Sequence, residues 1–420
     1  MARTRRPARP NYTARRILFG IVAVVVLALL VGAVVWVIAG PVSSLLHPAV
    51  SGSAPRTGAA QLPETAATTD PVVAADNAAP DASALATAAD TSSAPQPTSA
   101  APPVTIASVG DMMFGRGVSD YINANGGKAV FSNVAAKLNG ADLTLGNLEG
   151  PLALKGTKAK GKDQTLLGNP KAVPGLTYAG FDAVGLANNH TLDFGETAMY
   201  NTIRLLDAAG IAQAGAGKDW AEARKPADLK AKGATVALLA FSEIMPDGFA
   251  ATPAHGGIAR ASQRMDQVQA SIRDAKKTHD YVVVMFHWGV EYKPDANGMQ
   301  RADAHAAVDA GADLVLGSHP HVVQGLEAYK GRLIAYSLGD FVFDHYSRVT
   351  GESFILRTEL GPDGVDNVRI TPTYLGMTSG KPSIVTGSAA ATILKRLKKT
   401  SAALHTKVTI EGDTATVEMP

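Results

Sequence analysis

The stretch DLVLGSHPHVVQG (313–325) places two histidines, His319 and His321, on either side of Pro320, in a chain with only ten histidines. Other donors stand in comparable settings: Asp111 after Gly110, Glu149 after Asn147-Leu148, His190 after Asn188-Asn189, His287 before Trp288, and Asp340 after Gly339. Carboxylate, amide and imidazole donors of this kind suit a hard or borderline divalent cation such as Mn, Fe, Zn or Mg. Each has a plainer reading when taken alone. An Asp after Gly is usually a turn residue, and Asn-Asn suits a turn because Asn tolerates the left-handed region. Glu149 alone reads as a solvated acid, and His287 beside Trp288 as a packed ring. Gly317 and Pro320 predict a loop in which the two imidazoles can bend toward one centre. The chain has no cysteine, so disulfides, thiolate catalysis and Cys-ligated zinc are excluded.

The elements that must position these donors are short apolar runs alternating with helical patterns. Candidate strands are 104–109, 142–146, 182–187, 235–241, 280–286, 313–317 and 332–337, and candidate helices lie near 197–209, 263–277 and 301–310. That alternation predicts an α/β fold. The tail differs. Runs at 354–360, 368–375 and 406–412 read as strands with little helix between the first two, which predicts an antiparallel addition. Six of the strands run directly into donor residues. Sites in α/β sheets form beyond the carboxyl ends of strands, so neighbouring strands would bring the donors to one edge.

The N-terminal part has another composition. Residues 1–16 carry six arginines and no acid, and 17–39 carry no charge. A helix over 17–39 would span roughly 35 Å, enough for a bilayer core, with its basic flank in the cytoplasm. An uncleaved single-pass anchor is expected, because a signal peptide has a shorter apolar region and a clear cleavage site. The expected localisation is the cell membrane, N-terminus cytoplasmic and C-terminal domain extracytoplasmic. Residues 40–103 read as a linker. From 49 to 103 it holds five acids, one arginine and no aromatic residue, a composition that does not offset its ordering entropy. The expected organisation is a basic N-terminus (1–16), an anchor (17–39), a linker (40–103), a core (104–346) and a β-rich C-terminal extension of the same domain (347–420). The formal charge of +2 gives no footprint for nucleic acid.

The blocks GDMMFGRGV (110–118), GNLEGPL (146–152), GLANNHTLDFG (185–195), FHWGVEY (286–292), GSHPHVVQGLEAY (317–329) and YSLGDFVFD (336–344) resemble the capsule-biosynthesis CapA family, in that family's order. Its members are linked to making or exporting poly-γ-glutamate. The family is in turn similar to calcineurin-like metallophosphoesterases. That resemblance implies a metallophosphoesterase-like β-sandwich flanked by helices, with one or two divalent ions.

Carried over by residue, the resemblance implies metal ligands at Asp111, Glu149, Asn189, His287, His319 and His321, and a catalytic histidine at His190. Arg116, Asn188, Glu291 and Asp340 are expected to contact substrate or shape the site. Two departures stand out. Met113 occupies the position where phosphoesterases place a histidine, and a thioether is a poor ligand for hard ions. Asp340 occupies a position where the family usually has Asn, so it can add a ligand or position a water. The expected function is membrane-anchored, metal-dependent work in poly-γ-glutamate capsule synthesis or export. The expected partners are an anionic envelope polymer, capsule membrane proteins and the membrane, with no nucleic acid. Two alternatives are a metal-dependent hydrolase of a phosphoester or amide in an envelope polymer, and a non-catalytic polymer-binding scaffold.

Overall fold

Residues 101–420, apart from Tyr346, are described by a computed structural model. The strands, in chain order, are β1 (Val104–Met112), β2 (Leu143–Leu148), β3 (Ala183–Gly185), β4 (Ala212–Ala214), β5 (Ala216–Gly217) and β6 (Ala227–Ala231). They continue with β7 (Ala234–Ser242), β8 (Gly257–Ile258), β9 (Tyr281–His287), β10 (Leu314–Ser318), β11 (Leu326–Tyr329) and β12 (Arg332–Ala335). The last are β13 (Asp340–Val342), β14 (Glu352–Gly361), β15 (Gly364–Leu375), β16 (Pro382–Ile384), β17 (Val408–Glu411) and β18 (Thr414–Val417).

They form two large mixed sheets. The first runs β17-β18-β15-β14-β1-β2-β3-β4, with β13 beside β1 and β16 beside β15. The second runs β11-β12-β10-β9-β7-β6. In the second, β7, β9, β10 and β12 are parallel, and antiparallel β6 and β11 close its edges. The tail joins the first sheet directly: β14 lies antiparallel to both β1 and β15. The expected antiparallel addition is therefore present, and it extends the sheet that starts with β1.

Period-two alternation explains why the sheets stack. In β7, Val236, Leu238 and Ala240 face the core shared with the first sheet, while Ala237, Leu239 and Phe241 face the other way. That second set packs on helices α1 (Met265–Lys276) and α2 (Gly298–Asp309), through Val268, Ile272, Ala304 and Ala307. A sheet buried on both faces needs near-continuous apolar runs, which is what 235–241 and 280–286 show. The α2 helix begins with a capping box between Asn297 and Gln300, which satisfies two orphan donors.

Among the described residues no helix is long and apolar enough to cross a membrane. The longest, α3 (Gly387–Ala402), has 16 residues and carries Lys395, Arg396, Lys398 and Lys399. It spans only about 24 Å. The expectation of a single-pass membrane protein is corrected on this finding. The segments on which it rested, 1–16, 17–39 and the linker up to residue 100, lie outside the described residues.

Candidate metal centre at the carboxyl ends of both sheets

Strand register brings the donors together. Asp111, near the end of β1, lies opposite Asn147 of β2 and Asp340 of β13. His287, the last residue of β9, lies opposite Ser318 of β10 and Ser242 of β7. Gly110 permits the β1–β13 approach: a Cβ there would sit 1.8 Å from the Gly339 carbonyl oxygen. The HPH loop then turns sharply, and its histidines adopt left-handed backbone, φ 93° at His319 and 56° at His321. Such strain in non-glycine residues persists where surrounding structure imposes it, commonly at functional sites.

Glu149 is the hub. It is fully buried, and neither carboxylate oxygen has a hydrogen-bond partner among the described residues. Its Oε1 lies 3.8 Å from His190 Nε2, 3.9 Å from His287 Nε2 and 3.8 Å from His321 Nε2. A buried carboxylate without donors is costly unless a cation or proton compensates it. His319 adds a second orphan: its Nδ1 is buried without a partner.

The flanking groups are held by the protein. Asp111 accepts from Asn147 Nδ2 at 2.7 Å and from the His319 backbone N–H at 3.0 Å. His287 Nδ1 lies 3.0 Å from Ser318 Oγ, whose hydroxyl donates to Phe286 O. In the tautomer that donates Nδ1–H to Ser318, the Nε2 lone pair faces Asn189 Oδ1 at 2.9 Å. Two acceptors then point at each other, as two ligands of one cation do. Asn188 donates to Leu148 O and Asn147 Oδ1 and accepts from the His190 backbone N–H. It braces the loop from within.

Charge crowding shows in the titration of the site. Burial first, and then Asp340, push the Asp111 carboxyl up to about 6, although His321 opposes this. Burial and the Asp111 charge raise Glu149 well above the usual range, and burial raises Asp340. Burial and neighbouring imidazoles push His287 well below its ordinary value and His319 to about 3. Neutral rings of that kind are ligands in waiting. His321 goes the other way. Burial opposes its charge, but Asp340, Glu149 and Asp111 together hold it well above the ordinary value.

His190 sits at the mouth with an unexpected support. Its Nδ1 lies 2.6 Å from Asp193 Oδ2. Lys162 reaches in beside it, 2.5 Å from Asp193 Oδ1 and 3.0 Å from His190 Nδ1, and also donates to Asn189 O. Burial, with help from the Lys162 charge, lowers the His190 pKa despite Asp193. Sequence reading missed Asn147, Lys162, Asp193 and Ser318. Asp193 stands three residues after His190 in the block GLANNHTLDFG, a spacing that can be read in a sequence. Lys162 lies in a Lys- and Gly-rich loop and carries no such signal.

The remaining expected residues border an open cavity of about 810 Å³ lined by Arg116, Gln164, Glu291, Tyr292, Asp340 and Phe343, among others. Arg116 is tied down: Nε and Nη2 donate to Asp344 Oδ1 at 3.0 and 2.5 Å, and its guanidinium lies over Phe343. Met113 is fully buried, and its sulfur accepts the Gly115 N–H, so it brings no imidazole to the centre. Ligand atoms of Asp111, His321 and Asp340 lie within 4.8 Å of one another, as do those of Glu291, His319 and His321. These groups, the first buried throughout and the second with Glu291 exposed, could hold a metal ion.

The profile of the family described as "Bacterial capsule synthesis protein PGA_cap" matches residues 105–345, and the chain belongs to that family. It is 34% identical over 295 residues to the PGA biosynthesis protein CapA of Bacillus subtilis (strain 168), covering 70% of this chain and 77% of that protein. It is 34% identical over 290 residues to the capsule biosynthesis protein CapA of Bacillus anthracis, covering 68% and 70%. The crystal structure of TT1561 of Thermus thermophilus overlaps 61% of this chain and 94% of that one, at 14% identity and a TM-score of 0.37, a likeness that carries no argument.

Proposed function

We propose that this chain works in the synthesis or export of a poly-γ-glutamate capsule polymer through a divalent-metal site of the metallophosphoesterase kind. The observation that carries the metal site is Glu149, buried, unpartnered and ringed by three imidazole nitrogens at 3.8–3.9 Å. The polymer comes from what the two CapA relatives are named for. Asp111, Glu149, Asn189, His287, His319 and His321 would hold the metal, one ion or two. Asp340, beside Asp111, supplies a carboxylate where Met113 supplies no imidazole.

A divalent ion there would supply positive charge against the negative charge that develops on a substrate under attack. The chain's own groups do the rest. His190 is oriented by Asp193 and Lys162 and holds or moves a proton at Nε2, on the side facing Glu149. Arg116, fixed by Asp344, forms one wall of the cavity through which an anionic chain would reach the centre.

One observation favours a second reading. Met113 leaves one subsite a donor short, which suits a protein that binds polymer without cleaving it. Incubating the full-length chain with poly-γ-glutamate, and separately with phosphoesters, in the presence of Mn, Fe or Zn tests both. Metal-dependent shortening of the polymer, or phosphoester release, that is lost in His190→Ala supports the hydrolase. Polymer binding without cleavage supports the scaffold. A chain that neither binds nor cleaves the polymer or the phosphoesters would contradict the proposal.

A further inference from the structure

The loop after β9 is stitched to the HPH loop. The Trp288 N–H donates to Ser318 O at 3.2 Å, and the Tyr292 N–H to Pro320 O at 2.8 Å. The Trp288 indole is anchored on Tyr336 O at 2.9 Å, and Gly289 turns at φ 89°, where a Cβ would strike Gln300. Tyr292 is held at φ 63°, a third strained non-glycine residue beside His319 and His321. This construction holds Glu291 next to both histidines: its carboxylate and one nitrogen of each ring lie within 4.8 Å of one another. Atoms bound to one divalent ion at about 2.1 Å lie no further apart than roughly 4.2 Å, so a small closure completes the set.

Two contrasts give this trio a distinct role. His319 is 5% exposed with a buried, unpartnered Nδ1, and His321 is 8% exposed, whereas Glu291 is exposed. Among the described residues Glu291 has no cationic side-chain partner that would otherwise explain its position. The other carboxylates near these rings, Asp111, Glu149 and Asp340, are all buried.

We propose that Glu291 is a solvent-side ligand, completing with His319 and His321 a set of donors for a divalent cation, and that it is the ligand an incoming anionic substrate group displaces. This rests on the metal-site reading and adds to it. The buried donors fix the ion, and the exposed carboxylate makes one position exchangeable. An anion entering through the cavity competes with Glu291, the exposed carboxylate, for that position.

The test is titration of the metal-free, full-length chain with Mn, followed by calorimetry and by the electron paramagnetic resonance of bound Mn, for wild type, Glu291→Gln, Glu291→Asp and His287→Ala. The expected result is that Glu291→Gln weakens one Mn equivalent by about tenfold, the scale typical of losing a supporting group at a metal site. Glu291→Asp should recover part of the loss. Adding acetate or phosphate should alter the wild-type Mn spectrum, and should do so at a lower anion concentration in Glu291→Gln, where no carboxylate competes for the position. Because Glu291 is exposed, circular dichroism of the metal-free variants should match wild type. Wild-type Mn affinity in Glu291→Gln, with the same anion concentration dependence as wild type, would overturn this inference while leaving the metal site standing, provided His287→Ala loses Mn. No Mn, Zn or Fe binding by the wild type would overturn both.

Discussion

His321 Nδ1 lies 2.7 Å from Asp340 Oδ1, and Asp340 stands across the β1–β13 pairing from Asp111. One imidazole therefore mediates between three buried carboxylates, because its other nitrogen faces Glu149. Replacing Asp340 by Asn keeps an acceptor for His321 but removes one negative charge. Asp340 raises the Asp111 and Glu149 carboxyls, so its ionised form strains the metal-free fold above its ordinary pKa of 3.8. Asp340→Asn is expected to leave the melting temperature in EDTA at pH 7.5 equal to or above wild type. The gain in melting temperature on adding Mn or Zn should shrink, with affinity lower by about tenfold. Thermal melts with and without metal read both effects.

Lys162 and Asp193 form a pair whose side chains are 15% and 0% exposed. Breaking one partner of such a pair strands a buried charge. Lys162→Met is expected to cost about 3 kcal/mol of stability, measured by urea unfolding. Adding Asp193→Asn should recover part of that loss, because the stranded charge is then gone.

Gly110 allows β1 and β13 to touch. Gly110→Ala puts a methyl 1.8 Å from the Gly339 carbonyl oxygen, which forces the strands apart. The expected cost is about 1–3 kcal/mol. Because the displaced residues include Asp111 and Asp340, metal affinity should fall along with stability. Leu238→Ala, in the core between the sheets, should cost about 2–5 kcal/mol and leave metal affinity in the folded protein unchanged.

Glu243, whose backbone N–H donates to His287 O, is pushed up to about 7, first by burial and then by the Asp303 carboxylate. A carboxyl whose folded pKa lies above its unfolded value contributes most at low pH, and its contribution falls away as pH rises from about 4.5 through about 7. Chemical denaturation of the metal-free chain at pH 5 and pH 8 should show a smaller pH 5-to-8 loss of stability in Glu243→Gln than in wild type. An identical loss in the two proteins would remove Glu243 from the explanation.

Much of the second sheet was legible because it is buried on both faces, so its strands are long apolar runs that end at a polar donor. The runs at 280–286 and 313–317 lead into His287 and Ser318, which the structure sets opposite each other. The division into two sheets was not legible from periodicity, which says where a strand lies and not which strand it joins. Short elements were also lost: β13 has three residues, and its pairing with β1 depends on Gly110 and Gly339 meeting in space. Helix α3 was missed although its buried residues Ala390, Ile393, Leu394 and Leu397 stand at helical spacing. In the centre, donors at strand ends announced themselves. Lys162 and Ser318 did not, because their positions depend on tertiary contacts with His190 and His287.

The central claim is that the charge around Glu149 is completed by a divalent ion. The most direct measurement is the metal content of the full-length chain after loading with Mn, Fe or Zn and exhaustive dialysis, beside Glu149→Gln and His287→Ala. The account predicts at least one equivalent of metal in the wild type and a loss in both variants, with folding retained by circular dichroism. A well-folded wild type that retains no metal from any of these loadings, or variants that retain as much as wild type, would contradict it.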